Sequence, residues 1–121
     1  MSSNRMEPTE AFRVLASVDR QYLLYELRER NGESTIGELS RRIAARRHRT
    51  TSEKISLPEI DRARVRTVHI HLPSLLEQGV IDVDWSDGTV TLADDPSVDV
   101  LFAAAEELDE WPPEPPLSRF S

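Results

Sequence analysis

The stretch RARVRTVHIHLPSLLEQGVIDVDWSDGTVTL, residues 62–92, joins the spacing of an amphipathic helix to that of a β-hairpin. In its first part, apolar residues recur at steps of three or four, which aligns side chains along one side of a helix. The stripe predicted to be buried consists of Val65, Val68, Leu72, Leu75 and Leu76. Gly79 stands where helices commonly end in a left-handed residue, so we expect the helix to stop there.

Beyond Gly79 the apolar spacing changes to that of a half-buried strand. Ile81, Val83 and Trp85 alternate with aspartates, and the dipeptide Asp87-Gly88 is typical of a tight hairpin turn. Val90 and Leu92 then form the predicted return strand. The whole stretch therefore predicts a helix followed directly by a two-stranded hairpin.

The helix is expected to begin near Pro58, because a proline in the first turn loses no hydrogen bond. Pro73 lies inside it and cannot donate to the carbonyl of His69, a defect that costs roughly 3 kcal/mol if nothing compensates. We expect a kink just after His71, or a split into two helices over 58–71 and 74–78.

Four further helices flank this unit. Thr9 is predicted to cap the first, which is followed by a core helix up to Arg30. Thr35 and Glu38 form a capping box that opens a helix to about Arg47, and residues 48–57 are read as a loop. Asp95-Pro96 opens a last helix to about Trp111. We predict a frayed segment over 1–8, one domain over 9–111 and a proline-rich tail over 112–121.

Composition excludes several classes of function. The chain of 121 residues has no cysteine, which rules out disulfides and thiolate catalysis. Neither a glycine-rich phosphate loop nor a nucleophile with a recognisable base is present, so we predict no catalytic residues and no cofactor. His69 and His71 would project about 200° apart on a helix and cannot chelate one metal ion, so we predict no metal site. The absence of signal-like or membrane-spanning apolar runs predicts a cytoplasmic protein without a membrane partner.

Charge is unevenly distributed along the chain. Fourteen of the fifteen basic residues are arginine, and twenty-two acids bring the net charge to -7. Such an acidic, lysine-poor composition predicts a halophilic protein, and a GC-rich genome that favours arginine codons is the alternative explanation. Residues 41–71 nevertheless carry nine basic side chains against three acidic ones. Because three acids cannot neutralise nine bases nearby in sequence, we expect this basic island to bind a polyanion.

The order of helix, helix, basic helix, glycine and hairpin resembles a winged-helix regulator of the ArsR-like kind. More closely, the chain resembles a haloarchaeal winged-helix domain family of unknown function over residues 12–93. The residues that carry the resemblance are Val18-Asp19-Arg20-Gln21-Tyr22 with Leu24 and Leu27, Thr35-Ile36-Gly37-Glu38-Leu39 with Ile43-Ala44, His69-Ile70-His71-Leu72-Pro73-Ser74-Leu75, and Gly79-Val80-Ile81-Asp82. The resemblance implies a mainly α, winged helix-turn-helix fold with a small β-hairpin, to which the predicted C-terminal helix is an addition.

This fold and the basic island together predict a sequence-specific transcription regulator that binds double-stranded DNA. On the recognition helix, the side opposite the apolar stripe supplies base-contacting candidates. These are Arg62, Arg64, Arg66, Thr67 and Ile70. Candidates for contacts with phosphates are Arg42, Arg46, Arg47 and Arg49. The acidic hairpin is predicted to point away from DNA.

A chain of this size is stabilised by oligomerisation, so we expect a homodimer formed through the first and last helices. Two alternatives remain open: a protein-interaction module on a winged-helix scaffold, and an architectural DNA binder without sequence preference. Retention on duplex DNA as salt is varied distinguishes a DNA-binding protein from the interaction module. Equal affinity for scrambled duplexes would identify the architectural binder.

Overall fold

A computed structural model of the chain describes residues 6–117. The fold is mainly α with a small antiparallel sheet, the winged-helix-like class that the sequence predicts, and its C-terminal helix is present. The elements in chain order are α1 Pro8–Val14, α2 Val18–Glu29, β1 Glu33–Thr35, α3 Ile36–Arg47, α4 Leu57–Arg66, a π-helical turn Thr67–His71, α5 Leu72–Glu77, β2 Ile81–Asp84, β3 Thr89–Leu92 and α6 Pro96–Ala105. Within residues 6–117, none of the helices has the length and apolar character needed to cross a membrane.

The sheet has three strands rather than the predicted two. The hairpin of β2 and β3 forms as expected, and β1 pairs with the other edge of β3, which gives the order β1-β3-β2. The backbone N–H of Ile36 also donates to Gly88 O at 2.8 Å. This bond ties the start of α3 to the hairpin turn, so the hairpin is fixed relative to the helices.

The core lies where α2, α3, α5 and the inner face of the sheet meet. Leu23, Leu27, Leu39 and Leu75 are completely buried there, as is Val90 at the centre of β3. Helix α6 packs against α1 and buries Leu101 and Ala105 in the same core cluster. The C-terminal helix is therefore part of the domain's core.

The helix over 57–77 changes its winding at the π-helical turn. Its buried side follows Ala63, Thr67 and His71 before and within the turn, and Leu72 and Leu75 after it. A π turn contains one more residue per hydrogen-bonded ring than an α turn, so the buried stripe shifts by one residue. The predicted stripe is correct at Leu72 and Leu75 and wrong at Val65, which is exposed.

Pro73 neither ends nor splits this helix. The backbone N–H of Leu72 donates to Thr67 O, five residues back, and α5 then begins with Pro73 in its first turn. Pro73 has no N–H to donate, and it follows the wider π-helical turn directly, where the backbone hydrogen bonds return from a five-residue to a four-residue spacing. The ring is therefore accommodated without a break in the helix. The structural change thus lies before Pro73, over Thr67–His71, and not after His71 as predicted.

Both terminal segments differ from expectation where they are described. Met6, placed in the frayed segment 1–8, is buried, and its backbone N–H donates to Ser97 Oγ at 3.1 Å. Helix α1 is capped from Glu7 rather than Thr9. In the proline-rich tail, Arg46 Nε donates to Glu114 O at 2.6 Å and Leu117 N donates to Thr50 O at 3.1 Å, so residues 112–117 lie along the end of α3. Residues 1–5 and 118–121 lie outside the described part of these two predicted segments.

Candidate nucleic-acid interface

Arg42, predicted to hold a DNA phosphate, points into the domain. Its Nε lies 2.9 Å from Glu26 Oε1, and it donates to the Tyr22 hydroxyl at 3.2 Å. Glu26 is buried and also accepts from Tyr22 Oη at 2.6 Å and from Arg30. Burial alone would raise the pKa of Glu26, but the donors Arg30, Tyr22 and Arg42 lower it below its usual value. Arg42 is therefore a structural partner of a buried carboxylate.

Asp19, at the start of α2, is a second buried carboxylate that contacts several basic side chains. Its Oδ2 lies 3.1 Å from Arg47 Nη1, 3.7 Å from Arg66 Nε and 3.7 Å from His71 Nε2. Burial by itself would raise the pKa of Asp19, but His71, Arg47 and Arg66 together hold it below its usual value. Arg66 is thus turned inward, contrary to the prediction that it contacts bases. Arg47 also contacts Asp19, but about half of its side chain is exposed.

In the folded chain, fewer basic side chains of the basic island are uncompensated by acids than the sequence indicates. Four of its nine basic residues lie in salt-bridge contact with a carboxylate, namely Arg42, Arg47, Arg62 and Arg66. Two of the three carboxylates involved, Asp19 and Glu26, come from α2, outside the island. The expectation that local acids cannot neutralise it overlooked these partners, which reach it only through packing. Among residues 6–117, the island's side chains without such a carboxylate are Arg41, Arg46, Arg49, Lys54 and Arg64.

Arg46 and Arg49 remain at the surface at the end of α3. Together with Arg47 they line a cavity of about 450 Å³, which the tail residues Glu114, Pro115 and Leu117 border on the other side. Arg46 already donates to the tail backbone. Of the four arginines predicted to contact phosphates, the structure brings these three together and separates Arg42 from them.

The solvent-facing side of the long helix, here called the outer face, consists of Arg62, Val65, His69 and Ile70. Val65 is 59% exposed and Ile70 53% exposed, and neither is covered by another part of residues 6–117. Arg62 reaches Glu59 at 3.4 Å and stays largely in solvent. Thr67, predicted to lie here, is fully buried and is excluded from any surface contact.

A groove separates this helix from the tip of the hairpin. Arg64, Val65, Val68 and His69 line one side, and residues 85–88, with Trp85 55% exposed, line the other. Its volume is about 460 Å³. The groove and the outer face form one continuous surface through Val65 and His69.

The aspartates at the hairpin tip accept hydrogen bonds from other residues of the turn. Asp84 Oδ1 accepts from Ser86 N at 3.0 Å, and Asp87 Oδ1 accepts from Thr89 N at 2.9 Å. The bonds from Ser86 lower the pKa of Asp84 below its usual value. These carboxylates stabilise the turn, and the exposed side chain that the tip offers to a partner is Trp85.

The two histidines lie in different environments. His71 is buried beside Asp19, whereas His69 is exposed. Within the described residues, no group of three or more His, Asp or Glu side chains is arranged to hold a metal ion.

The buried carboxylates were missed by sequence reasoning, although one signal for them exists. Glu26 lies four residues after Tyr22 and three after Leu23, so on α2 it shares the apolar side. A carboxylate on such a side needs a buried cation or donor. From that requirement, the sequence alone predicts that a basic side chain such as Arg42 points inward.

A family model described as a domain of unknown function, DUF7344, matches residues 12–91. The chain belongs to this family. No curated protein and no solved structure matches the chain.

Proposed function

We propose that this member of the DUF7344 family is a sequence-specific, double-stranded-DNA-binding transcription regulator that acts as a cytoplasmic homodimer. We further propose that it is a haloarchaeal winged-helix protein of the ArsR-like kind. The observation that carries the proposal is the long helix, which presents a solvent-facing side with Arg62 and Arg64 next to a hairpin. In winged-helix regulators this helix enters the major groove.

Electrostatics supports a polyanionic partner for a limited set of residues. Among residues 6–117, Arg64 and the island's other basic side chains without a carboxylate contact carry charge that no acid in salt-bridge distance compensates, which favours phosphates as partners. The revised set of DNA contacts keeps Arg62, Arg64 and Ile70 on the helix, and Arg46, Arg47 and Arg49 beside the tail. It omits Arg42, Arg66 and Thr67, whose side chains are used inside the domain.

The homodimer is proposed through α1 and α6, which pack together in each chain. Phe12 on α1 is exposed, and Val98 and Val100 on α6 are only partly buried. A second copy would cover this apolar surface and place two recognition helices for half-sites about one duplex turn apart.

Selection of binding sites from a pool of random duplexes tests the proposal with the full chain. The expected result is an enriched two-fold motif whose affinity falls at least tenfold in Arg64→Gln. Glu29→Gln is the control, since it changes one exposed charge on α2, away from the helix and hairpin and from the proposed dimer helices, and should not lower affinity. Failure to enrich any motif, together with no retention on duplex DNA at low salt, would refute the proposal.

A protein-interaction module is the second candidate, and a specific observation favours it. Val65, Ile70 and Trp85 expose apolar surface on one side of the molecule, and the aspartates of the hairpin oppose a polyanion. Such a module would elute from immobilised duplex at the same low salt before and after Arg64→Gln.

A further inference from the structure

The outer face is apolar at its centre, where a recognition helix would approach base edges. Val65 and Ile70 each leave more than half of their surface in water. A wide turn with one extra residue in its hydrogen-bonded ring gives residues five apart roughly the relation that residues four apart have in an α-helix. The π-helical turn therefore brings Ile70 closer to the side of Val65 than a continuous α-helix would, and both side chains are exposed, while Thr67 and His71 are buried.

Aliphatic side chains can distinguish few features of a duplex. In the major groove, thymine is the base that offers an apolar group, its 5-methyl, whereas the other bases present only donors and acceptors along their edges. A valine or isoleucine placed against those polar edges would leave them unsatisfied after water is expelled. Thymine methyl groups are thus the surface that Val65 and Ile70 complement.

The neighbouring charges favour DNA over an apolar protein partner for this surface. Arg62 and Arg64 stand on the same stretch of helix as Val65, and among residues 6–117 Arg64 has no carboxylate in salt-bridge contact. Phosphates lie on both sides of the major groove, so an apolar centre flanked by guanidinium groups matches a thymine edge between two backbones.

We infer that Val65 and Ile70 read thymine methyl groups, so that the DNA bound by this protein carries thymines beneath the centre of the outer face. This inference rests on the proposed function and adds the class of base that is recognised. Because methyl contacts release no counterions, they keep their strength at high salt, where phosphate contacts weaken.

The test replaces thymine by uracil, which removes only the methyl group, one position at a time in the duplex obtained by selection. Each methyl contacted should account for about fourfold in affinity, the change that corresponds to burying one carbon. Val65→Ala should abolish the uracil effect at one position and Ile70→Ala at another. Val18→Ala, a matched exposed valine on α2, should leave every uracil effect unchanged.

The outcomes separate this inference from the proposed function. Equal affinity for thymine and uracil duplexes would overturn the methyl readout and leave DNA binding standing. Uracil effects that persist in both Val65→Ala and Ile70→Ala would overturn the assignment to these residues. If selection yields no duplex that binds, the proposed function itself fails.

Discussion

Replacing Glu26 by glutamine keeps the shape of the side chain and removes its charge. Glu26 is 6% exposed and accepts hydrogen bonds from Tyr22 and Arg30 while it pairs with Arg42. The Arg42 side chain is itself only 24% exposed. Breaking a fully buried ion pair costs about 3–5 kcal/mol. Both arginines retain contact with water, Arg30 more than Arg42, so we expect a loss of about 2–3 kcal/mol in the free energy of unfolding. For a domain of this size the corresponding fall in Tm is about 8–12 °C.

Urea unfolding followed by circular dichroism measures this loss, with Glu38→Gln as the matched control. Glu38 also pairs with Arg30, at 3.7 Å, but is 37% exposed, so its replacement should cost less than about 1 kcal/mol. Equal losses in the two variants would refute a stabilising role for the buried network.

The pH dependence gives an independent check on Glu26. Its pKa is lower in the folded chain than the ordinary value of 4.5, so folding is stabilised above that value and the stabilisation is lost as pH falls through the folded-state pKa. The stability gap between the native chain and Glu26→Gln should therefore be constant near neutrality and narrow in acid. A gap that stays constant down to the acid-unfolding transition would contradict the ionised, hydrogen-bonded state of Glu26.

Four further predictions follow from the same contacts. Arg42→Met should lower stability by about 2 kcal/mol while the folded protein keeps its DNA affinity in a band-shift titration; a selective loss of affinity would return Arg42 to the interface. Thr67→Val should raise stability by up to about 1 kcal/mol in thermal unfolding, because the buried Thr67 hydroxyl has no hydrogen-bond partner within residues 6–117. The slope of log affinity against log salt should be about 4.5 per protomer, as for the five basic residues of the revised contact set (Arg46, Arg47, Arg49, Arg62 and Arg64), and a slope near 8 would mean that all nine contact phosphate. Phe12→Ser should weaken self-association about tenfold in sedimentation equilibrium, and an unchanged dimer would place the interface elsewhere.

Local signals in the sequence predicted the elements that local chemistry determines. Gly79 adopts φ 73° at the end of the long helix, and Gly88 adopts φ 76° in the hairpin turn, as expected where a left-handed residue is needed. Glu38 N donates to Thr35 Oγ1 at 3.0 Å, which confirms the threonine bond of the predicted capping box, while the Glu38 carboxylate lies 3.7 Å from Arg30 Nη2. Each of these features involves residues within a few positions of one another, so composition and spacing suffice to find it.

The features that sequence did not predict depend on residues far apart in the chain. Strand β1 has three residues and forms only because β3 offers a free edge. The position of Val65 was misjudged because an α period was extended backwards from Leu72 through a turn that is π-helical. A change of winding shifts the side chains on one side of it relative to those on the other, so positions before and within the turn, such as Val65 and Thr67, were assigned to the wrong side of the helix.

The corrected positions change the kind of DNA contact that we propose for the helix. With three basic side chains outward, the helix would hold DNA mainly through charge, and its affinity would collapse as salt rises. Arg66 is instead tied to Asp19, and Val65 takes a place on the exposed side, so two arginines flank an apolar centre. At the high salt concentration that we propose for this acidic, lysine-poor chain, additional phosphate contacts would add little affinity. Apolar readout retains its strength under those conditions, and the inward turn of Arg42 and Arg66 therefore agrees with the composition of the chain as a whole.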